Sequence, residues 1–416
     1  MTTVAEGAEK ERVDDPDFRA RVRAFMEAHA TRRPAQEDRL PSARGIVSDR
    51  ELVDTGRAYQ AALFDAGLAG LTWPAEYGGQ GLSSAYQSIF NDEVSDYYTP
   101  DSIYTIGFGM CIPTVLAHAS EANKRRHVKP AARGEEIWCQ LFSEPSAGSD
   151  VASLRSRAVR DGDEWILNGQ KIWTSGAQYC QFGIVLARTD IDAPKHRGLS
   201  MFILDMHSPG VTIKPLRQMN GASGFNEVFF DDVRIPGDRL LGSPGDGWHV
   251  ALTTLMNERV AIGSGRSSEK APPLAPIAVH LDLAQRRGIV GDALVRQDLV
   301  DLYIRYRVLE MLGLRIRGTL AAGRVPGPEG SVAKLSGAVL ARHSADVAAR
   351  LAGPSATAWP AGDASSASQM VLTAPAGGIA GGTNEVMRNI LGERVLGLPK
   401  EPSVDRDLPF KDLPFS

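Results

Sequence analysis

The chain lacks most of the features that assign a function at first sight. It has three cysteines in 416 residues (Cys111, Cys139, Cys180), odd in number and without the spacing of metal-ligand pairs. They read as buried, reduced thiols, as suits a cytoplasmic protein. The eight histidines are scattered, so no metal site is expected. Neither sign of charge dominates: the net charge is −4, without a long basic or acidic run. That argues against nucleic acid as a partner, since its binding needs a basic face. No apolar run approaches the roughly 18–20 residues that span a bilayer. The opening MTTVAEGAEKERVDDPDF is too acidic and polar for a secretory or transit signal. No G-x-G-x-x-G follows a strand, which argues against a nicotinamide Rossmann fold. Gly263-Ser264-Gly265 falls short of a nucleophile elbow.

What is present has a three-part order. Phe18, Val22, Phe25 and Met26 recur at helical spacing behind Asp15-Pro16. Ser48-Asp49-Arg50-Glu51 fits a capping box opening a helix through Leu52, Tyr59 and Leu63. A turn-rich segment (71–83) precedes helical patterns over 85–97, 103–118 and 120–128, where Pro130 should end the last. From about Glu136 the period becomes two, giving short strands separated by turns such as Asp161-Gly162 and Pro236-Gly237. After Gly242-Ser243-Pro244-Gly245 helices resume. Val250, Leu252, Leu255, Met256 and Val260 predict one apolar face, Leu299 to Leu312 a second helix, 332–351 a third and 384–395 a short fourth. The small-residue stretch 352–369 reads as a long loop. The doubled DLPF at the end (407–410, 412–415) is compatible with a docked tail or a disordered one. The expected fold is α+β and mainly α: an N-terminal helical domain (1–135), a middle antiparallel β domain (136–245) and a C-terminal helical domain (246–416).

The stretch from Trp138 to Gly176 is the richest in chemistry. A loop of small polar residues, Ser143 to Asp150, is followed by Trp173-Thr174-Ser175. Gly148 and the hydroxyls of Ser143, Ser146 and Ser149 permit close approach to a ligand. Asn168-Gly169, between apolar triplets, carries the strongest short hairpin signal. Two polar segments meeting around an aromatic point to a flat aromatic ligand; a plain surface loop and hairpin is the competing reading.

Four segments together resemble the acyl-CoA dehydrogenase family: LTWPAEYGGQGLS (71–83), QLFSEPSAGSD with NGQKIWTSG (140–150, 168–176), FNEVFFDDVRIP (225–236) and GGTNEVMRNILGERVLGLP (381–399). The resemblance covers nearly the whole chain, in the family's order. It implies a C-terminal four-helix bundle, FAD as cofactor, an acyl-CoA substrate, an electron-transfer flavoprotein as acceptor, and a homodimer or homotetramer. It implies that Gln140, Phe142, Ser143, Gly148 and Ser149 contact the flavin, its pyrophosphate or the acyl-CoA. Trp173, Thr174 and Ser175 match the segment that packs against the ring, and Thr383 and Glu385 match cofactor contacts.

The family's reaction needs a carboxylate to remove the proton from Cα of the thioester. Many members place it directly before the Gly-Thr of the C-terminal motif, where this chain has Gly381. Isovaleryl- and some long-chain-type members place it instead on the first bundle helix in a Glu-Arg pair, matched by Glu258-Arg259. Glu258 is thus the implied base and Arg259 its support; a surface salt bridge is the plainer reading of Glu258. Gly381 leaves its N–H for the thioester carbonyl and opens space for a branched, cyclic or bulky acyl group. Two departures weaken the dinucleotide grip. Arg-x-x-Phe-Gly survives only as Arg287-Gly288-Ile289-Val290-Gly291, and the Gln-x-x-Gly-Gly-x-Gly segment is replaced after Gln369 by MVLTAPAGG. The alternatives are a flavin oxidase or monooxygenase on this fold, or an FAD-weak or non-catalytic partner subunit of a heteromeric dehydrogenase.

Overall fold

The computed structural model describes residues 15–33, 50–263, 277–321, 327, 330–358, 366–402 and 406–413; within them, the side chains of residues 50, 52, 258–263, 317, 320, 321 and 366 are not described. The chain divides into two compact units, Met1–Pro41 with Gly81–Tyr98 and Ile262–Leu398, and Ser42–Gln80 with Thr99–Ala261 and Pro399–Ser416.

The first unit is helical. Helix α1 (Pro16–His29) starts where Asp15 Oδ1 accepts from the N–H of Phe18 at 2.9 Å, with proline at the first helical position. Its Phe18, Val22, Phe25 and Met26 are buried as their spacing predicts. Arg19 and Arg23 of α1 clasp the buried Glu93 of a second helix (Ser84–Val94). The C-terminal part holds helices at Ala278–Arg286, Ala293–Ala321, Gly330–Ala352, Ser366–Gly377 and Asn384–Ile390. Their core gathers Leu299, Leu302, Leu340, Val347 and Leu351. The helix at Ser366–Gly377 takes the end of the stretch 352–369 read as a long loop; Gly353–Ala356 within that stretch form a 3-10 turn, and 359–365 lie outside the described residues. The helix's small residues carry no apolar period, and Pro375 near its end reads as a breaker. Ala367 is nevertheless buried with Ala348 and Ala352, because small side chains let two helices approach closely.

The second unit is built on one eight-stranded sheet. In chain order its strands are β1 (Trp138–Leu141), β2 (Arg157–Asp161), β3 (Glu164–Ser175), β4 (Phe182–Arg188), β5 (Leu199–Asp205), β6 (Val211–Leu216), β7 (Phe225–Pro236) and β8 (Leu240–Leu241). All neighbouring pairs are antiparallel except β1 and β2 against β4. Strands β4 and β5 are buried on both faces, so alternate residues feed two cores. Ile184, Leu186, Met201 and Ile203 pack with Ile112, Val115 and Val128 of the flanking helices. Val185, Phe202 and Leu204 pack with Trp165, Val228 and Val233.

Four further local expectations are corrected. Asn168-Gly169 is no hairpin turn: it lies inside β3, which runs unbroken for 12 residues. The hairpin closes instead at Gly162 (φ +60°), between β2 and β3. Gly169 serves an irregularity against β7, with φ +142°, where a Cβ would stand 2.3 Å from Ser156 Oγ and 2.7 Å from Ser156 Cα. Gly169→Ala should therefore cost about 2–3 kcal/mol by thermal denaturation. Gly148→Ala, whose Cβ meets nothing within 4 Å among the described residues, should stay within about 0.5 kcal/mol of the parent.

Pro130, expected to end its helix, lies inside Glu121–Arg133, which closes at Gly134 in the left-handed conformation. Burial of Ala131 and Ala132 outweighs the lost backbone hydrogen bond. The segment 103–118 is not one helix. A 3-10 turn (Ser102–Tyr104) and a π-type turn (Gly107–Cys111) precede the helix Ile112–His118.

The helix Gly247–Gly263 buries Val250, Ala251 and Thr254, while Leu252 and Met256 are 41% and 52% exposed. The single apolar face expected of it is thus divided between core and surface. The first DLPF of the tail docks. Pro409 bridges Pro194, and the N–H groups of Phe410 and Lys411 donate to the carbonyls of Ala193 and Ile191. The Ser48 capping box, the 267–276 break and Phe415 lie outside the described residues.

Candidate functional site

Strand β1 delivers the polar loop from the middle of the sheet. It is paired with β4 along its length and buried except at half-buried Gln140. Phe142 is buried, and the chain then turns tightly: the N–H of Glu144 donates to Ala147 O and the N–H of Ala147 to Glu144 O, both at 3.0 Å. This turn presents Pro145, Ser146, Gly148 and Ser149 to solvent.

A buried ion pair anchors the turn. Lys171 Nζ donates to Glu144 Oε1 at 2.8 Å and to the Phe142 carbonyl at 3.0 Å. Glu144 also accepts from the N–H groups of Arg155 (2.6 Å) and Ser156 (2.9 Å). Lys171 is wholly buried. Burial alone would raise the Glu144 carboxyl, but the Lys171 ammonium and these donors hold it below the ordinary carboxylate value. Burial lowers Lys171, and Glu144 opposes that shift. One residue on, the N–H of Ile172 donates to Ser143 O at 2.9 Å. The two polar segments singled out in the sequence are therefore laced together by Lys171 and Ile172.

Immediately beyond the lacing, β3 shifts register against β7 and Trp173 takes φ +62°. A bulky side chain in the left-handed region is strained, by about 1–2 kcal/mol. The conformation turns the indole outward, 57% exposed, with its ring edge-to-face with Phe225 at 5.9 Å. Thr174 is buried and its Oγ1 has no hydrogen-bond partner among the described residues. Ser175 is half-buried beside Gly176. An exposed, strained tryptophan beside a loop whose Gly148 has open space where a Cβ would be fits a flat aromatic ligand.

Gly381, Thr383, Glu385 and Arg287 belong to the helical unit. Gly381 (φ +66°) and Gly382 (φ +91°) are both left-handed. Thr383 caps the last helix, its Oγ1 accepting from the N–H of Val386 at 3.2 Å. Lys334 Nζ donates to the Gly382 carbonyl. Glu385 is exposed and pairs with Arg388. Arg287 follows the helix Ala278–Arg286 and donates to Leu351 O at 2.6 Å, packed under Gly353. Glu258 and Arg259 lie on the helix Gly247–Gly263 by backbone, and their side chains are outside the described residues. Among the described residues no group of three or more His, Cys, Asp or Glu gathers as metal ligands would, and no helix is long and apolar enough to cross a membrane.

The Glu144–Lys171 pair is the main feature missed in the sequence. Its signal was parity: Trp165, Leu167 and Lys171 share the buried side of β3, so an inward lysine called for a partner. Reading Asn168-Gly169 as a turn hid that parity.

The chain matches three acyl-CoA dehydrogenase family models, for the N-terminal domain over 14–135, the middle domain over 139–233 and the C-terminal domain over 245–396. It belongs to the acyl-CoA dehydrogenase family, whose members are flavoproteins, generally binding FAD. It is accordingly an oxidoreductase acting on CH–CH bonds. Among relatives, the acyl-CoA dehydrogenase IpdE1 of Mycobacterium tuberculosis is 37% identical over 389 residues, 93% of this chain and 99% of that protein. Of solved structures, the Tcur3481-Tcur3483 steroid ACAD has a TM-score of 0.76 at 26% identity, covering 94% of this chain and all of that one. The ChsE4-ChsE5 complex from Mycobacterium tuberculosis has a TM-score of 0.72 at 27% identity, covering 94% of this chain and 100% of that one.

Proposed function

We propose that this protein is an FAD-dependent dehydrogenase of a bulky, cyclic acyl-CoA thioester, with Glu258 as base. The observation that carries the cofactor reading is Trp173, held exposed at a backbone cost beside the laced loop. The loop Ser143–Ser149 and Trp173–Ser175, with Gln140 and Phe142 behind them, would hold the flavin; Thr383, Glu385 and Arg287 complete the assignment. FAD, when bound, supplies the acceptor for the hydride that leaves Cβ. Glu258 takes the proton from Cα, and Arg259 supports the carboxylate. The N–H of Gly381 donates to the thioester carbonyl, where negative charge develops as the Cα proton leaves. With no side chain at Gly381, ring carbons have room next to Cα and Cβ. The steroid relative supports that choice of substrate class.

The reading assigns the protein to the cytoplasm, with an electron-transfer flavoprotein as acceptor and a homodimer or homotetramer as the working form. Val300, Ile304, Val308 and Met311 form an exposed apolar stripe on the helix Ala293–Ala321, consistent with assembly. A second reading, one subunit of a heteromeric dehydrogenase, is favoured by Arg287, whose guanidinium already serves Leu351 in its own unit. The chain purified alone decides between them: retention of FAD supports the first, and FAD uptake only with a second subunit supports the other.

The substrate class is tested by kcat/KM with CoA esters of polycyclic, branched and straight-chain acids. The polycyclic or branched esters should lead by at least about tenfold; turnover of straight-chain esters alone would contradict the proposal. Trp173→Ala should weaken FAD binding about tenfold by titration of the apoprotein, while the exposed position leaves apoprotein thermal stability little changed.

A further inference from the structure

The docked DLPF motif of the tail sits on a buried arginine that no step above uses. Arg188 ends β4 and is 1% exposed. Its guanidinium carbon lies 3.7 Å from the centroid of the Phe410 ring. Its nitrogens donate to Ala152 O at 2.6 Å, Leu154 O at 3.4 Å and Lys195 O at 2.6 Å, while Nε is buried without a partner among the described residues. The same ring lies 5.9 Å from the guanidinium of Arg155, whose N–H is bound by Glu144. Lys195 in turn reaches Asp150, at 2.8 Å. Beneath one aromatic ring, then, Arg188 holds the carbonyls of Ala152 and Leu154, in the turn that directly follows the polar loop, and the carbonyl of Lys195, whose ammonium pairs with Asp150 at the loop's end.

A buried cation lacking a full set of acceptors is stabilised by an aromatic face in a desolvated site. Removing Phe410 would admit water to Arg188 and loosen its hold on the two carbonyls. We propose that Phe410 is a positioning residue for the cofactor-facing loop: it covers Arg188, Arg188 holds the carbonyls of Ala152 and Leu154, and the turn into which the loop runs is thereby fixed. The proposal rests on the reading of Ser143–Ser149 as that loop. The tail is thus a part of the site that lies outside its motifs in sequence.

The test uses the full-length chain with Phe410→Leu, which keeps apolar bulk and removes the π face, Phe410→Tyr, which restores it, and Lys411→Met, which breaks only the surface pair with Asp192. Hydrogen exchange at the amides of Leu154, Arg155 and Ser156 is read in FAD-free protein, and the dissociation constant for FAD is read by titration. Phe410→Leu should raise exchange and weaken FAD binding, each on the order of tenfold. Phe410→Tyr and Lys411→Met should match the parent in both. Unchanged exchange in Phe410→Leu overturns the link between Phe410 and Arg188. Raised exchange with unchanged FAD affinity overturns the positioning role. A parent chain that takes up no FAD, either alone or with a second subunit, contradicts the cofactor reading itself, and the exchange arm then decides the Phe410–Arg188 link alone.

Discussion

Glu258→Gln should slow reduction of the bound flavin by acyl-CoA on the order of a thousandfold, because the amide cannot take the Cα proton. The variant should retain FAD and still bind substrate, since the exchange preserves size and hydrogen-bonding capacity. Anaerobic stopped-flow separates the two effects: the spectral change of binding survives while the bleaching of the flavin is lost. The expectation comes from Glu258-Arg259 on the helix Gly247–Gly263, combined with a glycine at 381 where other members carry a carboxylate. Bleaching of Glu258→Gln at the parent's rate would assign the base elsewhere, with Glu385 the nearest rival in the motif.

Lys171→Met should have the largest effect on stability. It leaves Glu144 buried with backbone donors but without its cation, a situation that costs about 3–5 kcal/mol. Denaturation of the apoprotein in urea measures it. The double variant Glu144→Gln with Lys171→Met should recover much of the loss, because the orphaned charge is gone. A pH dependence follows from the same pair. The folded-state value of Glu144 lies below its unfolded value. Its contribution is therefore fully present above the ordinary carboxylate value of about 4.3 and is lost as pH falls through the lower folded value. The stability deficit of Lys171→Met relative to the parent should therefore shrink as pH falls below that range, because protonation of Glu144 costs the parent the ion pair and relieves the variant of an unpaired buried charge. A deficit that does not change with pH would show that the pair does not anchor the turn.

The helix with a clean 3.6 period and a capping residue was legible in sequence: Asp15 before Phe18, Val22 and Met26 caps as its position suggests. The two polar segments of the candidate site were legible as well, as stretches of small polar residues meeting around Trp173. What joins them was not. Asn168-Gly169 has the composition of a turn, and only the packing of Gly169 against Ser156 shows that the strand continues. The helix Ser366–Gly377 escaped because alanine and serine bury by close approach rather than by an apolar stripe. The tail was ambiguous because the partner of Phe410 is an arginine more than two hundred residues earlier, at the end of a strand that reads as uniformly apolar up to that residue.

The central claim is tested most directly by mixing the FAD-loaded, unaltered protein with the CoA ester of a polycyclic acid in the absence of oxygen and any other acceptor. Loss of the oxidised flavin's visible absorption, with a product lighter by the mass of two hydrogens, is the result expected of an α,β-dehydrogenase. A flavin that stays oxidised with polycyclic, branched and straight-chain esters alike would contradict it.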